Sequence, residues 1–153
     1  MKHICRYIFL FTLSLLAVGC HEWNENPNFP GAYTDFTINL NQSYYYSLNF
    51  SGNYVYLKPE INSASRGYIV YRMPSYDYEF RVYDRFPPNY PDACCSGDTC
   101  TRLITDGIFV IDNCNGIRYN ILDGSVFDGD GEYELIQYRW SYNASDNTLH
   151  VFN

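Results

Sequence analysis

Apolar and polar side chains alternate along most of the chain after Gly31. Phe36, Ile38 and Leu40 alternate with Thr37 and Asn39, which predicts a strand with one face inward. Tyr44 to Phe50 and Tyr54 to Leu57 read as two further strands, separated by Ser51-Gly52-Asn53. Tyr68 to Met73 is an apolar run broken only by Arg72, the pattern of a central strand. Pro74-Ser75-Tyr76-Asp77 turns the chain, and Tyr78, Phe80 and Val82 alternate with Glu79, Arg81 and Tyr83, which predicts a hairpin with the preceding strand. Arg85 to Asp98 is irregular and rich in Pro and Cys. Strands resume at Thr101 to Ile104, at Gly107 to Ile111, and at Ile117, Tyr119 and Ile121, the last closed by the turn dipeptide Asp123-Gly124. Tyr133 to Trp140 and Thr148 to Phe152 are expected to pair across residues 143–147. No long helical period, internal repeat or second domain is visible. The fold class expected is all-β.

Composition agrees, since 19% of the chain is aromatic and aromatic rings suit half-buried pleated surfaces. The first twenty residues follow a different pattern. Lys2 and Arg6 precede an apolar run from Tyr7 to Leu16, and small residues lead to Gly19 and Cys20. A charged start, a short apolar middle and a small-residue exit make a secretory signal. Ending in Cys, it resembles the lipobox of bacterial lipoproteins, with Ala17 where Leu is usual. That resemblance implies cleavage before Cys20 and a diacylglycerol on its thiol. Residues 1–19 then form the signal peptide, 20–31 a lipidated tether and 32–153 the folded domain. Acyl chains add about 0.8 kcal/mol per buried methylene, so two or more anchor stably. Glu22 and Glu25 resemble an acidic export signal of Gram-negative surface lipoproteins. The expected location is the outer membrane of a Gram-negative bacterium, on its periplasmic or surface face.

The chain carries a net charge of −7, and loss of Lys2 and Arg6 would make it more negative. With no basic cluster, binding of nucleic acid or anionic lipid through charge is not expected.

Three local sequences, in order, resemble the Rieske-like domain. Gly67-Tyr68-Ile69-Val70-Tyr71-Arg72 with Phe80-Arg81-Val82-Tyr83-Asp84-Arg85 resembles the hairpin before its first cluster loop. Asp112-Asn113-Cys114-Asn115-Gly116-Ile117-Arg118-Tyr119-Asn120 resembles the second loop, and Ile121-Leu122-Asp123-Gly124-Ser125-Val126 the strand and turn behind it. Residues 32–153 resemble, more closely, Gram-negative lipoproteins that carry this domain in degenerate form. The resemblance implies an antiparallel β-sandwich with a small loop-rich subdomain that presents two loops to a [2Fe-2S] cluster. Such a centre needs two Cys and two His, arranged in this family as Cys-x-His and Cys-x-x-His. Here the first motif reads Phe86, Pro87, Pro88, and the second has Asp112 and Asn115 at its ligand positions. The mature histidines are His21, in the tether, and His150, in the last strand. The expectation is a retained fold without its cluster, and no cofactor.

Cys94, Cys95, Cys100 and Cys114 remain, an even set in an exported chain, with three possible pairings. In several Rieske proteins a disulfide ties the two cluster loops, and Cys114 stands at the position of its second Cys. The resemblance thus implies Cys114 paired with Cys94 or Cys95, and Cys100 with the other. A bridge closing about 20 residues contributes roughly 3 kcal/mol in the chain-entropy model. The competing reading is a four-thiolate zinc or iron–sulfur site, although Cys-Cys-x4-Cys-x13-Cys lacks the paired Cys-x2-Cys knuckles of structural zinc.

Other candidates are weaker. Asp128, Asp130 and Glu132 alternate with glycines, a pattern compatible with calcium or with an acidic hairpin turn. Tyr44, Tyr45, Tyr46, Tyr54 and Tyr56 could stack on sugars or a partner protein, or fill the faces of a sheet. Ser125 lacks a nucleophile elbow, and Glu79, Glu132 and Glu134 read as the solvated faces of strands. No enzymatic activity is expected. The leading expectation is a non-catalytic, membrane-anchored structural or interaction module, with an envelope protein or glycan as partner. The alternatives are a metal-binding electron carrier built on the four Cys, and a glycan-binding lipoprotein.

Overall fold

The computed structural model describes residues 26–59, 63–75 and 77–153; the signal segment, Cys20, His21 and the start of the tether lie outside the described residues. Twelve strands are present among them: β1 (Asp35–Asn39), β2 (Tyr54–Leu57), β3 (Tyr68–Arg72), β4 (Phe80–Asp84), β5 (Cys95–Ser96), β6 (Thr99–Cys100), β7 (Ile104–Asp106), β8 (Phe109–Asp112), β9 (Ile117–Asn120), β10 (Val126–Asp128), β11 (Arg139–Asn143) and β12 (Thr148–Phe152). They form an outer sheet in the order β1-β12-β11, a middle sheet β2-β3-β4, a four-stranded sheet β10-β9-β8-β7 and the small ribbon β5-β6. All pairings are antiparallel. The chain is all-β, as its alternation predicts.

The middle sheet is packed on both faces. Tyr68 and Val70 of β3 join Ile38, Leu48, Phe80, Leu149 and Val151 in one core against the outer sheet. Ile69 and Tyr71, pointing the other way, join Tyr83, Val110, Tyr119 and Ile121 in a second core against the four-stranded sheet. Successive side chains of a strand point to opposite faces. A strand covered on both faces therefore shows a continuous apolar run instead of alternation. The exception in that run, Arg72, is 4% exposed. Its Nη1 donates to the carbonyls of Met73, Asp77 and Glu79, and its guanidinium lies over the Tyr78 ring at 4.4 Å.

Three strand expectations need correction. Residues 44–50 form turns and a 3-10 helix, Tyr46–Asn49, instead of a strand. Asn49 Nδ2 donates to the carbonyls of Leu40 and Tyr46, which holds the chain curled while Leu48 enters the core. The strand expected from Thr101 starts only at Ile104, because Thr101 N–H and Leu103 N–H are spent on the carbonyls of Cys94 and Arg85. The strand expected from Tyr133 starts at Arg139. Before it, Leu135, Ile136 and Tyr138 bond to Gly124, Asp84 and Val82, so this stretch crosses between sheets.

Asp84, at the end of β4, is fully buried. Its Oδ1 accepts from the backbone N–H of Arg66 (3.1 Å) and Phe86 (2.7 Å), and its Oδ2 from the Tyr138 hydroxyl (2.7 Å). Burial pushes its carboxyl above the ordinary Asp range, against the pull of those bonds and one from Ser65. A raised folded-state value means that the folded protein holds this proton more tightly than the unfolded chain. The Asp84 contribution to stability is then fully present below the unfolded value of about 3.9 and is lost as pH rises through the folded value. Asp84→Asn keeps an acceptor for both N–H groups and removes this pH dependence. We expect it to stay within about 1 kcal/mol of the parent at neutral pH, whereas Asp84→Ala, leaving two buried amides unpaired, loses about 3 kcal/mol. Urea midpoints from pH 4 to 8 decide this; equal losses for the two variants contradict it.

Candidate functional site

Two loops meet at one end of the four-stranded sheet. The second loop, residues 112–116, joins β8 to β9. Asp112 is 1% exposed, and its Oδ1 accepts from the N–H groups of Cys114 (2.9 Å) and Asn115 (3.3 Å). Gly116 N–H closes the turn on the Asp112 carbonyl, and its φ of 69° is the left-handed region that favours glycine. The Asn115 amide donates to Asp112 Oδ2 (2.7 Å) and, at 3.4 Å, to the carbonyls of Asn89 and Tyr90 in the first loop.

The first loop follows β4. Phe86 is buried, with the Arg66 guanidinium 4.6 Å above its ring and Phe29 against its edge at 5.2 Å. The Pro88 carbonyl accepts from the side chains of Asn26 and Asn28, so the last part of the tether is bound to this loop. Asn89, 3% exposed, organises the centre. Its Nδ2 donates to the Tyr119 hydroxyl (2.9 Å) and the Tyr133 carbonyl (2.8 Å), and its Oδ1 accepts from the N–H groups of Glu132 and Tyr133 (2.9 Å each). Burial pushes the Tyr119 hydroxyl up to about 12, against the lowering effect of its bond from Asn89. Tyr90 follows with φ 49°, a left-handed conformation uncommon outside glycine and asparagine, and its ring is exposed.

The cysteines complete the join. Cys94 is bonded to Cys114, which ties the first loop to the second, and Cys95 to Cys100, which face each other across the β5-β6 ribbon. Arg66 Nη1 donates to the carbonyls of Pro91 and Thr101, and its Nη2 lies 3.6 Å from Asp92 and 3.9 Å from Cys95 Sγ. The ligating atoms of Asp92, Cys95 and Cys100 lie within 4.8 Å of one another.

The residues present do not fit a [2Fe-2S] cluster. Phe86 and Pro88 offer no side-chain ligand atom. Asp112 already accepts three hydrogen bonds, Asn115 donates through its amide, and the sulfur atoms are paired with one another. His150 sits on β12 of the outer sheet, 2.9 Å from Asp35.

The remaining candidates are dispersed. Asp128, Asp130 and Glu132 do not gather into a three-ligand group; among the described residues only Asp92, Cys95 and Cys100 do. The glycines between them serve close approach instead. A Cβ on Gly129 would stand 3.0 Å from the Gly116 carbonyl oxygen, and one on Gly131 3.1 Å from Asn89 Nδ2. The Ser125 hydroxyl donates to Asp123 in a turn, and Glu79 pairs with Arg81 at 3.0 Å. Glu134, like Glu132, is exposed. Tyr44, Tyr46 and Tyr54 are exposed, whereas the Tyr56 hydroxyl is bonded to Thr105 and its ring lies under Arg85 at 4.1 Å. Asn89 and Arg66 escaped the sequence reading, because an isolated polar residue in an irregular stretch has no period to betray its burial. The chain matches no protein-family model and no curated protein.

Asn89→Ala would leave two buried amides and the Tyr119 hydroxyl without their partner. The expected loss is about 2–4 kcal/mol, read as a lower urea midpoint with both disulfides intact; a loss under about 0.5 kcal/mol would remove Asn89 from this role.

Proposed function

We propose that this chain is a lipid-anchored, Rieske-like domain without a cluster, acting as a non-catalytic structural or interaction module at the outer membrane. The observation that carries the reading is the junction of the two loops. It lies where the resemblance expects a metal centre, and it is filled by Phe86, Asn89, Asp112 and Asn115 and fastened by the Cys94–Cys114 bridge. Further support comes from the order of elements, with a hairpin before the first loop and a small sheet presenting both loops. The lipobox supplies the anchor, and the hydrogen bonds of Asn26 and Asn28 to Pro88 carry the tether to the loops.

A second reading rests on Asp92, Cys95 and Cys100. Reduction of their disulfide would turn two sulfurs into thiolate ligands beside a carboxylate. The same purification separates the two readings. From native membranes we expect a colourless protein with no iron or zinc, no thiol reactive in denaturant, and a Cys20→Ala variant recovered in the soluble fraction. Stoichiometric metal with free thiols would replace the first reading by the second, and a soluble parent protein would remove the anchor.

A further inference from the structure

The outer and middle sheets are joined along one side and open along the other. On the joined side, β4 meets the segment before β11: Asp84 N–H donates to Ile136 and Tyr138 N–H to Val82, with Tyr83 bridged to Gln137. On the open side, β1 ends its sheet and β2 ends the other, with no ladder between them. A cavity of about 450 Å³ follows this seam. Its apolar lining includes Phe36, Ile38, Tyr45, Leu57 and Tyr68.

Both bordering strands turn unpaired backbone groups toward the seam. In an antiparallel pair, alternate residues bond to the partner and the others point away from it. Asn153 N–H donates to Thr34 and Leu40 N–H to Asn147, so the even-numbered residues of β1 bond to β12. Thr37 therefore presents its N–H and C=O to the seam. Arg72 N–H donates to Asn53, so in β2 the odd-numbered residues bond to β3, and Tyr56 faces outward. Its carbonyl accepts from the Tyr44 hydroxyl at 2.7 Å, which caps one edge acceptor. Lys58 is the sole charged residue in the cavity lining, and among the described residues it has no ion pair.

We propose that this seam takes up an extended peptide segment of a partner protein, which adds as a strand beside β1 and β2. An open edge pairs with a chain through main-chain bonds, and alternate side chains then fill the pockets beneath. The unsatisfied groups are backbone donors and acceptors, which a peptide matches along its length. The aromatic floor selects apolar side chains at every second position, and Lys58 selects a carboxylate. Tyr44 acts as a removable cap on the Tyr56 carbonyl. This inference rests on the interaction-module reading, but its test does not involve the cysteines or metal content, so the two can fail separately.

The probe is a random heptapeptide display library, panned on the purified mature protein, with the enriched peptide resynthesised and its binding read by fluorescence anisotropy. We expect enriched peptides to alternate apolar residues and carry one acidic residue. N-methylation of the peptide at alternate residues should weaken binding at least about tenfold, the equivalent of about 1.4 kcal/mol. Thr37→Pro removes a donor on the free side of β1 and should do the same with an unchanged urea midpoint. Tyr44→Phe should tighten binding several-fold, and Lys58→Glu should abolish the preference for the acidic residue. Absence of enrichment, or a peptide indifferent to both N-methylation and Thr37→Pro, overturns the proposal. So does a seam that instead takes uronate oligosaccharides or closes in a dimer of this chain, as judged by amide shifts of Thr37 and Tyr56 or by sedimentation.

Discussion

The buried carboxylate of Asp84 is the constraint on which the loop architecture depends. Strand β4 ends there, and the next regular pairing is the two-residue ribbon at Cys95. The stretch between has two consecutive prolines and a third at Pro91, so it can build little ladder of its own. Asp84 fixes its first step by accepting from Phe86 N–H, while binding Arg66 N–H ahead of β3 and the Tyr138 hydroxyl ahead of β11. Three remote parts of the chain are thus set by one side chain. Asn89 repeats the device further on with four bonds, and the Cys94–Cys114 bridge closes it. A bridge over about 20 residues contributes roughly 3 kcal/mol, and the loss of one buried polar hub costs a similar amount. Neither dominates, so the loops are held by redundant fasteners of comparable strength.

Much of the sheet structure was legible because burial leaves a period. Strand β1 is covered on one face and alternates; β3 is covered on both and runs continuously apolar. What was illegible had either local or remote causes. Residues 44–50 have strand-like aromatics, yet the Asn49 side chain and successive short turns curl them. Residues 133–138 look like a strand, but their backbone bonds go to three different parts of the chain, which no local pattern encodes. The acidic Asp128-to-Glu132 turn suggested calcium because its carboxylates are visible in the sequence, whereas the tight contacts that require its glycines are not.

The disulfides show the same division. The resemblance placed Cys114 opposite Cys94 or Cys95 and left the choice open. Adjacent residues of an extended chain point to opposite sides. Cys95 faces Cys100 across the ribbon, which leaves Cys94 on the side of the second loop. The identity of the partner is a property of the ribbon register, and a two-residue strand is too short to announce itself by periodicity.

The two ends of the molecule differ in how completely they are satisfied, and this difference locates where a partner can act. At the loop end the buried polar groups of Asp84, Asn89 and Asp112 are paired within the chain, and the tether adds its own bonds at Pro88. A partner docking there would have to displace bonds already made. At the seam, backbone groups of Thr37 and Tyr56 border an apolar cavity, and the one cap supplied, from Tyr44, comes from a side chain that is 64% exposed. Desolvating a strand edge is costly when its groups stay unpaired and favourable when a second strand pairs them. The loops have therefore become the rigid part of the domain, and the recognition surface lies on the opposite chemistry: unpaired backbone beside exposed aromatic rings.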